Sequence, residues 1–324
     1  MMLRGKDRRP LVGCLAAVLA ACGAADHGAS GVDVGGTDSA AGDPSTMTGI
    51  FQVRLVTAAS GRSGYTSVVG RIYDGPMPPL FGWLPGAKEG DCQLFTPKVP
   101  FCAPSCSGST ACVGDGVCQA YPTSRSVGIV RVKGIATATG AREFSMEPEA
   151  NSYQPAESLP LQSFQEGDLI RFEAQGDYFP GFAVEARGIG ALHVTNESLS
   201  VAEDQELILT WDKPGLPENA KVRVKLDLSH HGGTKGKIEC ETNDTGSLRV
   251  AASLLTQLLR LGVAGFPSMT ITRSSSGTAA SAGNVVLEVS SEVERQVQVA
   301  GVVSCNDDAD CPDGGICQKD LTCK

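Results

Sequence analysis

Apolar and polar side chains alternate along most of this chain with a period of two, the period of a half-buried β-strand, whose successive side chains point to opposite faces. Over 221–229 the alternation is unbroken: Val222, Val224, Leu226 and Leu228 share one face, and Lys221, Arg223, Lys225, Asp227 and Ser229 the other. Leu207, Leu209 and Trp211 line one side of 206–212, and Val285, Leu287 and Val289 repeat the pattern. Further strands are expected at 51–56, 127–133, 169–174, 182–186, 237–241, 269–273 and 293–303, separated by Gly, Pro, Asn and Asp turns. Only 248–261 has helical spacing, with Val250, Ala251, Leu254, Leu255, Leu258 and Leu259 on one stripe and Gly262 placed as a terminator. The pattern predicts an all-β protein of two antiparallel β-sandwich-like domains with one helical connection. Tight turns between short sequential strands suit antiparallel pairing, whereas parallel sheets need a long crossover in every connection.

A boundary is expected at 187–192, where Arg187-Gly188-Ile189-Gly190 precedes a new run of strands. It divides a β-rich domain, 49–190, with a cysteine-rich insertion at 92–118, from a sandwich, 191–304, that carries the helix at 248–261. The second domain has the size of an immunoglobulin-like sandwich but lacks the paired-cysteine and tryptophan spacing of antibody domains. Within the first, 75–86 holds four prolines with Leu80, Phe81 and Trp83 and reads as a rigid extended loop. Its aromatics either form a recognition surface or fold back to plug a sheet end.

The N-terminus has an export pattern. Arg4, Lys6, Arg8 and Arg9 precede eleven small or apolar residues, too few to cross a bilayer, so 1–21 reads as a signal segment. The run ends Leu19-Ala20-Ala21-Cys22, which resembles the lipobox of bacterial lipoproteins; that resemblance implies lipid attachment at Cys22. Residues 22–48 are rich in Gly, Ala, Ser, Thr and Asp, hold no Lys or Arg, and read as a disordered tether spanning roughly 25 to 30 Å.

Charge narrows the partners. The chain has 27 basic and 36 acidic residues; without the signal segment these become 23 and 35, a formal −12, which repels phosphate backbones and argues against nucleic acid.

Ten cysteines remain once Cys14 and Cys22 are set aside: Cys92, Cys102, Cys106, Cys112, Cys118, Cys240, Cys305, Cys311, Cys317 and Cys323. An even number in an exported chain points to disulfides. Cys106-x5-Cys112-x5-Cys118-Gln119 repeats as Cys305-x5-Cys311-x5-Cys317-Gln318, and each copy has an Asp-Gly turn before its last cysteine. The segment 305–324 is therefore expected to be a small disulfide module pairing Cys305 with Cys317 and Cys311 with Cys323, while Cys240 supplies the sixth partner of the first cluster. No C-x-x-C pair occurs, so the spacing does not suit zinc. The tail resembles the short cysteine-rich motifs of Dickkopf-like extracellular modules. Lipobox, tether, sandwich and twin motifs together resemble uncharacterised cell-envelope lipoproteins of myxobacterial type. The resemblance covers most of the chain and implies architecture and a membrane-anchored location on the cell envelope, not an activity.

Candidate chemistry is thin. His230-His231 sits at a strand end, where neighbours are expected to point to opposite faces and form no metal pair; His193 reads as structural. Asp307, Asp308, Asp310 and Asp313 crowd the tail but lack the terminal glutamate of an EF-hand loop. Ser281, in Ala279-Ala280-Ser281-Ala282-Gly283, is the nearest approach to a nucleophile elbow and lies in a small-residue loop. Asn243-Asp244-Thr245 matches a glycosylation sequon, which bacterial export features make a chance match. No catalytic residue, cofactor or metal ligand is assigned. The expected function is that of a lipid-anchored envelope protein with a non-catalytic binding, adhesion or structural role toward a protein or glycan. Two alternatives stand: a surface hydrolase of polysaccharide or peptide using acids such as Glu185 and Asp227, and a calcium-stabilised adhesion module.

Overall fold

The computed structural model describes residues 42–57, 63–79, 81–279 and 283–324. The signal segment, Cys22 and Ser281 lie outside the described residues. The last part of the expected tether belongs to the body: Asp43 caps a turn over Pro44–Thr46, and Met47 is buried.

In chain order the strands are β1 (Thr48–Val56), β2 (Tyr65–Tyr73), β3 (Gly82–Glu89), β4 (Cys92–Lys98), β5 (Thr110–Gly114) and β6 (Val117–Ala120). They continue with β7 (Val130–Lys133), β8 (Glu143–Met146), β9 (Leu169–Gly176) and β10 (Pro180–Arg187). After residue 190 come β11 (Leu207–Thr210), β12 (Lys221–Asp227), β13 (Lys237–Asn243), β14 (Ser247–Val250), helix α1 (Ala252–Arg260), β15 (Ser268–Thr278) and β16 (Asn284–Gln296). The protein is all-β with one helix. A large sheet of eleven strands follows the order β2-β1-β16-β15-β12-β13-β4-β3, with two-residue strands added along β2. A second sheet has the order β10-β9-β7-β8, and β11 pairs with β14.

Pairing is antiparallel among the described residues, with two exceptions. Ser200–Val201 runs parallel to Gln298–Val299, and β1 runs parallel to β16, from Thr48 beside Asn284 to Leu55 beside Ser291. The second pair joins strands more than 200 residues apart, so the entire intervening chain serves as the crossover that parallel pairing requires. Tight-turn logic cannot foresee such a pair.

Two hydrophobic cores result. The first surrounds Phe51, whose ring packs 5.2 Å from that of Phe172 and 5.8 Å from that of Tyr153. The second lies beneath α1 and gathers Leu209, Trp211, Val224, Leu226, Leu254 and Leu258. Ile189 belongs to the first core and Leu192 to the second, so the chain changes cores along this stretch. The sheet does not: the β15–β16 hairpin gives Val285, Leu287 and Val289 to one core and Met269 and Ile271 to the other. The β3–β4 hairpin joins the large sheet at β13 and sends Cys92 and Leu94 into the second core.

Midway along the long hairpin, two polar residues occupy the inward register as cross-strand partners, Arg273 and Ser291. Arg273 Nε donates to Asp244 Oδ2 at 2.6 Å, and both side chains are buried, at 2% and 0% exposure. The rest of the guanidinium donates to the carbonyls of Ala191 (3.0 Å) and Asp212 (2.6 Å), and Trp211 Nε1 donates to Asp244 Oδ1 at 2.6 Å. Ser291 Oγ accepts the Leu192 N–H at 2.9 Å. The crossover segment is thus pinned to the hairpin by satisfied polar groups. Nearby, a Cβ on Gly277 would lie 1.8 Å from the Glu185 carbonyl oxygen, so only glycine lets β10 approach β15 this closely.

The helix is shorter than its stripe suggested. Leu248 and Val250 belong to β14, opposite Leu209 and Leu207, because periods of 2 and 3.6 coincide over so few residues. Gly262, at φ 103°, follows the helix end. The segment 75–86 also divides, its end entering β3, with a bulge between Pro85 and Lys88.

Five disulfides tie the chain: Cys92–Cys240, Cys102–Cys112, Cys106–Cys118, Cys305–Cys317 and Cys311–Cys323. The tail pairs are those expected from the spacing, and Cys240 bonds the first cysteine of the N-terminal cluster across β4 and β13. The two small modules are related by a permutation. Cys106–Cys118 corresponds to Cys305–Cys317, while the middle cysteine finds its partner upstream in one copy, Cys102, and downstream in the other, Cys323. Each short loop adds about 3 kcal/mol in the chain-entropy model, which substitutes for a core in segments this small. The tail docks through Gly265, whose N–H donates to the Asp320 carbonyl (2.6 Å) and whose own carbonyl accepts from Ser304 Oγ (2.6 Å).

Removing one partner of the buried pair strands the other charge. Asp244→Ala is expected to lower unfolding stability by about 3–5 kcal/mol, whereas Ser291→Ala, which deletes a single hydrogen bond, should cost about 1 kcal/mol. Urea midpoints at unchanged slope would measure both, and equal costs would refute the ranking.

Candidate functional site

The polar half of each strand's alternation forms the solvent face of the large sheet, and this face is concave. Arg54 of β1 and Lys88 of β3, far apart along the strand order, line the same depression of about 680 Å³. Cumulative twist across the strands hollows the polar side of the sheet. A second depression of about 550 Å³ shares Arg223, Glu241 and Glu288 with the first, so the two form a continuous trough.

Register sets the chemistry of the floor. One row runs Glu292, Thr272, Arg223, Glu241 across β16, β15, β12 and β13; the next runs Thr270, Lys225, Glu239, Gln93 into β4. Opposite charges alternate with hydroxyl and amide groups at cross-strand spacing. Arg223 Nη2 donates to Glu288 Oε2 (2.9 Å) and Ser274 Oγ (3.0 Å), and Thr272 Oγ1 donates to Glu292 Oε2 (3.3 Å). At the rim, Lys237 Nζ lies 2.5 Å from Glu239 Oε1 and 4.0 Å from the centre of the Trp83 ring. Among the described residues Arg54, Lys88, Asp91 and Lys225 form no ion pair, so their hydrogen-bonding capacity faces the trough. The arrangement can recognise a polar ligand by many simultaneous hydrogen bonds.

The solvent face of the smaller sheet is a contrast, because its charges satisfy one another. Lys133 bridges Glu173 at 2.8 Å, Arg171 bridges Glu173 at 2.6 Å and also Glu185, and Arg131 bridges Glu143 at 3.3 Å. Hydrogen bonds from Lys133 and then Arg171 hold the Glu173 carboxyl below the usual carboxylate range. The Gln165 N–H, followed by Arg142, does the same for Asp168.

The structure scatters the other sequence candidates. Glu185 is held by Arg171, and Asp227 Oδ1 accepts from the Ser229 N–H (2.8 Å) and hydroxyl (3.0 Å); neither lines the trough. The histidine pair departs from expectation: the rings of His230 and His231 lie 3.9 Å apart rather than on opposite faces, because His231 has φ 63° and breaks the strand alternation. His193 Nδ1 sits 3.0 Å from Asp212 Oδ2 on the surface. The tail acids turn inward on their own backbone: Asp307 accepts from Ala309 N–H, Asp308 from Cys317 N–H and Asp310 from Asn306 N–H, at 2.7–2.8 Å. Sulfurs of Cys102, Cys106 and Cys118, and of Cys305, Cys311 and Cys323, gather within 4.8 Å, but each is spent in a disulfide. Phe81 does not fold back as a plug; it is 49% exposed.

Sequence reading missed the trough and the buried Arg273–Asp244 pair. Arg273 did leave a signal, since it stands where Met269 and Ile271 call for another apolar residue. The trough left none, because curvature is not written in any one strand.

No protein-family model matches the chain, and no curated protein does either. Among solved structures, it is similar to a 1.5-MDa bacterial ice-binding adhesin at 12% identity and TM-score 0.19, over 82% of this chain and 68% of that one. The FN1–FN3 domains of chicken CNTN1 follow at 10% identity and TM-score 0.21, over 78% and 91%. Trypsin-activated alpha-2-macroglobulin from Escherichia coli stands at 9% and 0.19, over 75% and 18%. Scores this low carry no functional weight.

Because the folded-state carboxyls of Glu173 and Asp168 titrate below their unfolded values, their stabilisation is complete above an ordinary carboxylate pKa of about 4 and is lost as pH falls through the folded values. The melting temperature is expected to drop over that window. Glu173→Gln should flatten part of the drop in calorimetry from neutral pH downward; an identical profile would show that the bridges add nothing.

Proposed function

We propose that this chain is an exported envelope protein, moored to a membrane by lipid on Cys22, that presents its curled polar trough as a non-catalytic binding surface for a glycan chain. The trough carries this reading. A protein interface is anchored by apolar and aromatic residues at its centre, whereas this floor offers paired opposite charges, hydroxyls and amides. An extended polyhydroxyl chain can engage donors and acceptors of both signs without adding an uncompensated charge. The five disulfides suit an oxidising compartment outside the cytosol, and the lipobox-like Leu19-Ala20-Ala21-Cys22 supplies the mooring. The acidic balance keeps nucleic acid away.

Labelled palmitate is expected to enter the protein, and Cys22→Ala should abolish labelling and move it to the soluble fraction; retention on the membrane without label would end the mooring reading. On a glycan array, Arg223→Ala together with Lys225→Ala should weaken binding at least about tenfold, or about 1.4 kcal/mol. Arg131→Ala, on the self-paired sheet, should bind like the unaltered protein. Equal effects at both faces would remove the trough from the account.

A further inference from the structure

Seven of the fifteen exposed large apolar side chains among the described residues fall between positions 77 and 121: Met77, Phe81, Leu84, Val99, Phe101, Val117 and Tyr121. They are neighbours in space as well as in sequence. Gly82 pairs with Lys98, so Phe81 and Val99 leave the β3–β4 hairpin side by side. The Phe101 carbonyl accepts the Gly116 N–H at 2.9 Å, which brings Phe101 beside Val117. Gln119 Nε2 donates to the Pro76 carbonyl at 2.9 Å, setting Tyr121 near Met77. Two disulfides, Cys102–Cys112 and Cys106–Cys118, lock the part that has no core of its own. Val99 and Phe101 are 74% and 72% exposed.

This surface is electrically quiet in an acidic protein. Residues 75–87 and 99–114 contain no Asp, Glu, Lys or Arg. Lys98 and Asp115, which border the second stretch, neutralise each other at 2.9 Å. Burying such a surface requires no charge to leave water, and exposed apolar patches of this kind mark contact with a partner or a bilayer.

The position of the chain entry selects the bilayer. Thr48 Oγ1 donates to the Gly75 carbonyl at 2.5 Å, and the Asp74 N–H donates to the Thr123 carbonyl at 3.1 Å. The chain enters the described residues at Gly42, whose N–H donates to the Tyr178 carbonyl at 2.7 Å, and at Thr48 passes the base of this loop cluster, where Gly75 is two residues from Met77 on one arm and Thr123 two from Tyr121 on the other. Twenty residue steps separate Cys22 from Gly42, a reach of at most about 70 Å. A mooring at Cys22 would bring lipid within reach of the loop cluster. We infer that the uncharged loop cluster around Phe81 and Phe101 seats in the headgroup layer of the bilayer and holds the body in one orientation instead of leaving it free on its tether. The aromatic rings suit that layer, where interfacial anchors concentrate. The inference rests on the proposed mooring and adds a second, non-covalent contact to it.

Full-length protein reconstituted in phosphatidylcholine vesicles with brominated acyl chains gives the test. In a Trp83→Phe background, with the buried Trp211 common to both proteins, Phe101→Trp places a fluorophore in the cluster and Leu169→Trp serves as the reference. Leu169 is exposed and lies at the end of β9 away from Tyr178, whose carbonyl accepts the Gly42 N–H. The F101W signal is expected to be quenched at least about threefold more than the L169W signal, and Phe81→Ser added to F101W should reduce the difference. Quenching should not change between about 50 and about 500 mM salt, as an apolar seat requires. Equal quenching at the two sites, or none at F101W while the protein remains on the vesicles, overturns the inference. Should Cys22 prove unacylated, coupling its thiol to a maleimide lipid recreates the mooring, so a failure of the lipidation reading and a failure of this one are read separately.

Discussion

A guanidinium and a carboxylate meet with almost no access to water at the point where the two cores change over. Arg273 reaches Asp244, the crossover carbonyl of Ala191 and the carbonyl of Asp212, while its cross-strand partner Ser291 holds Leu192. Burying two charges costs several kcal/mol unless geometry and further hydrogen bonds recover it, and here every donor has a partner among the described residues. The gain is specificity rather than strength. The alternating apolar residues of the β15–β16 hairpin already oppose a one-residue slip, and this polar pair adds to that, because any slip would part Arg273 and Ser291 from the partners they hold. Because that hairpin serves both cores, both sandwiches depend on it.

The hairpin also determines the shape of the large sheet. Through β1 on one side and β12 on the other it joins the N-terminal strands to the C-terminal ones, and the parallel β1–β16 pair closes the sheet across the entire chain. Accumulated twist then folds the polar face inward. On the smaller sheet a comparable set of charges lies on a self-paired surface, with Glu173 between Lys133 and Arg171. Composition barely separates the two faces; curvature and pairing do.

Sulfur takes over where apolar packing is too sparse. The tail module and the 102–118 module use the same pair of crossed bonds, reached with the fourth cysteine on opposite sides of the shared spacing. Spatial position of the sulfurs, not their order, carries the design. The bonds leave the surface of the first module free of structural duty, which is why Val99 and Phe101 can stand exposed.

Much of this was legible in the residues alone. Alternation such as that of Val222, Val224, Leu226 and Leu228 marks the strands, because side-chain direction along a strand is a local property, and even cysteine spacing in a core-poor tail leaves few closures. What the sequence could not contain was everything that depends on separation in the chain or on an unusual backbone turn: the parallel partner of β1, the membership of β4 in the second core, the burial of Asp244 within an apparent sequon, and the close approach of the His230 and His231 rings. The trough belongs to the same class. Arg223 and Lys225 on its floor were read as solvent-facing, but whether a polar face is flat or hollow is decided by the summed twist of many strands, and only the tertiary structure performs that sum.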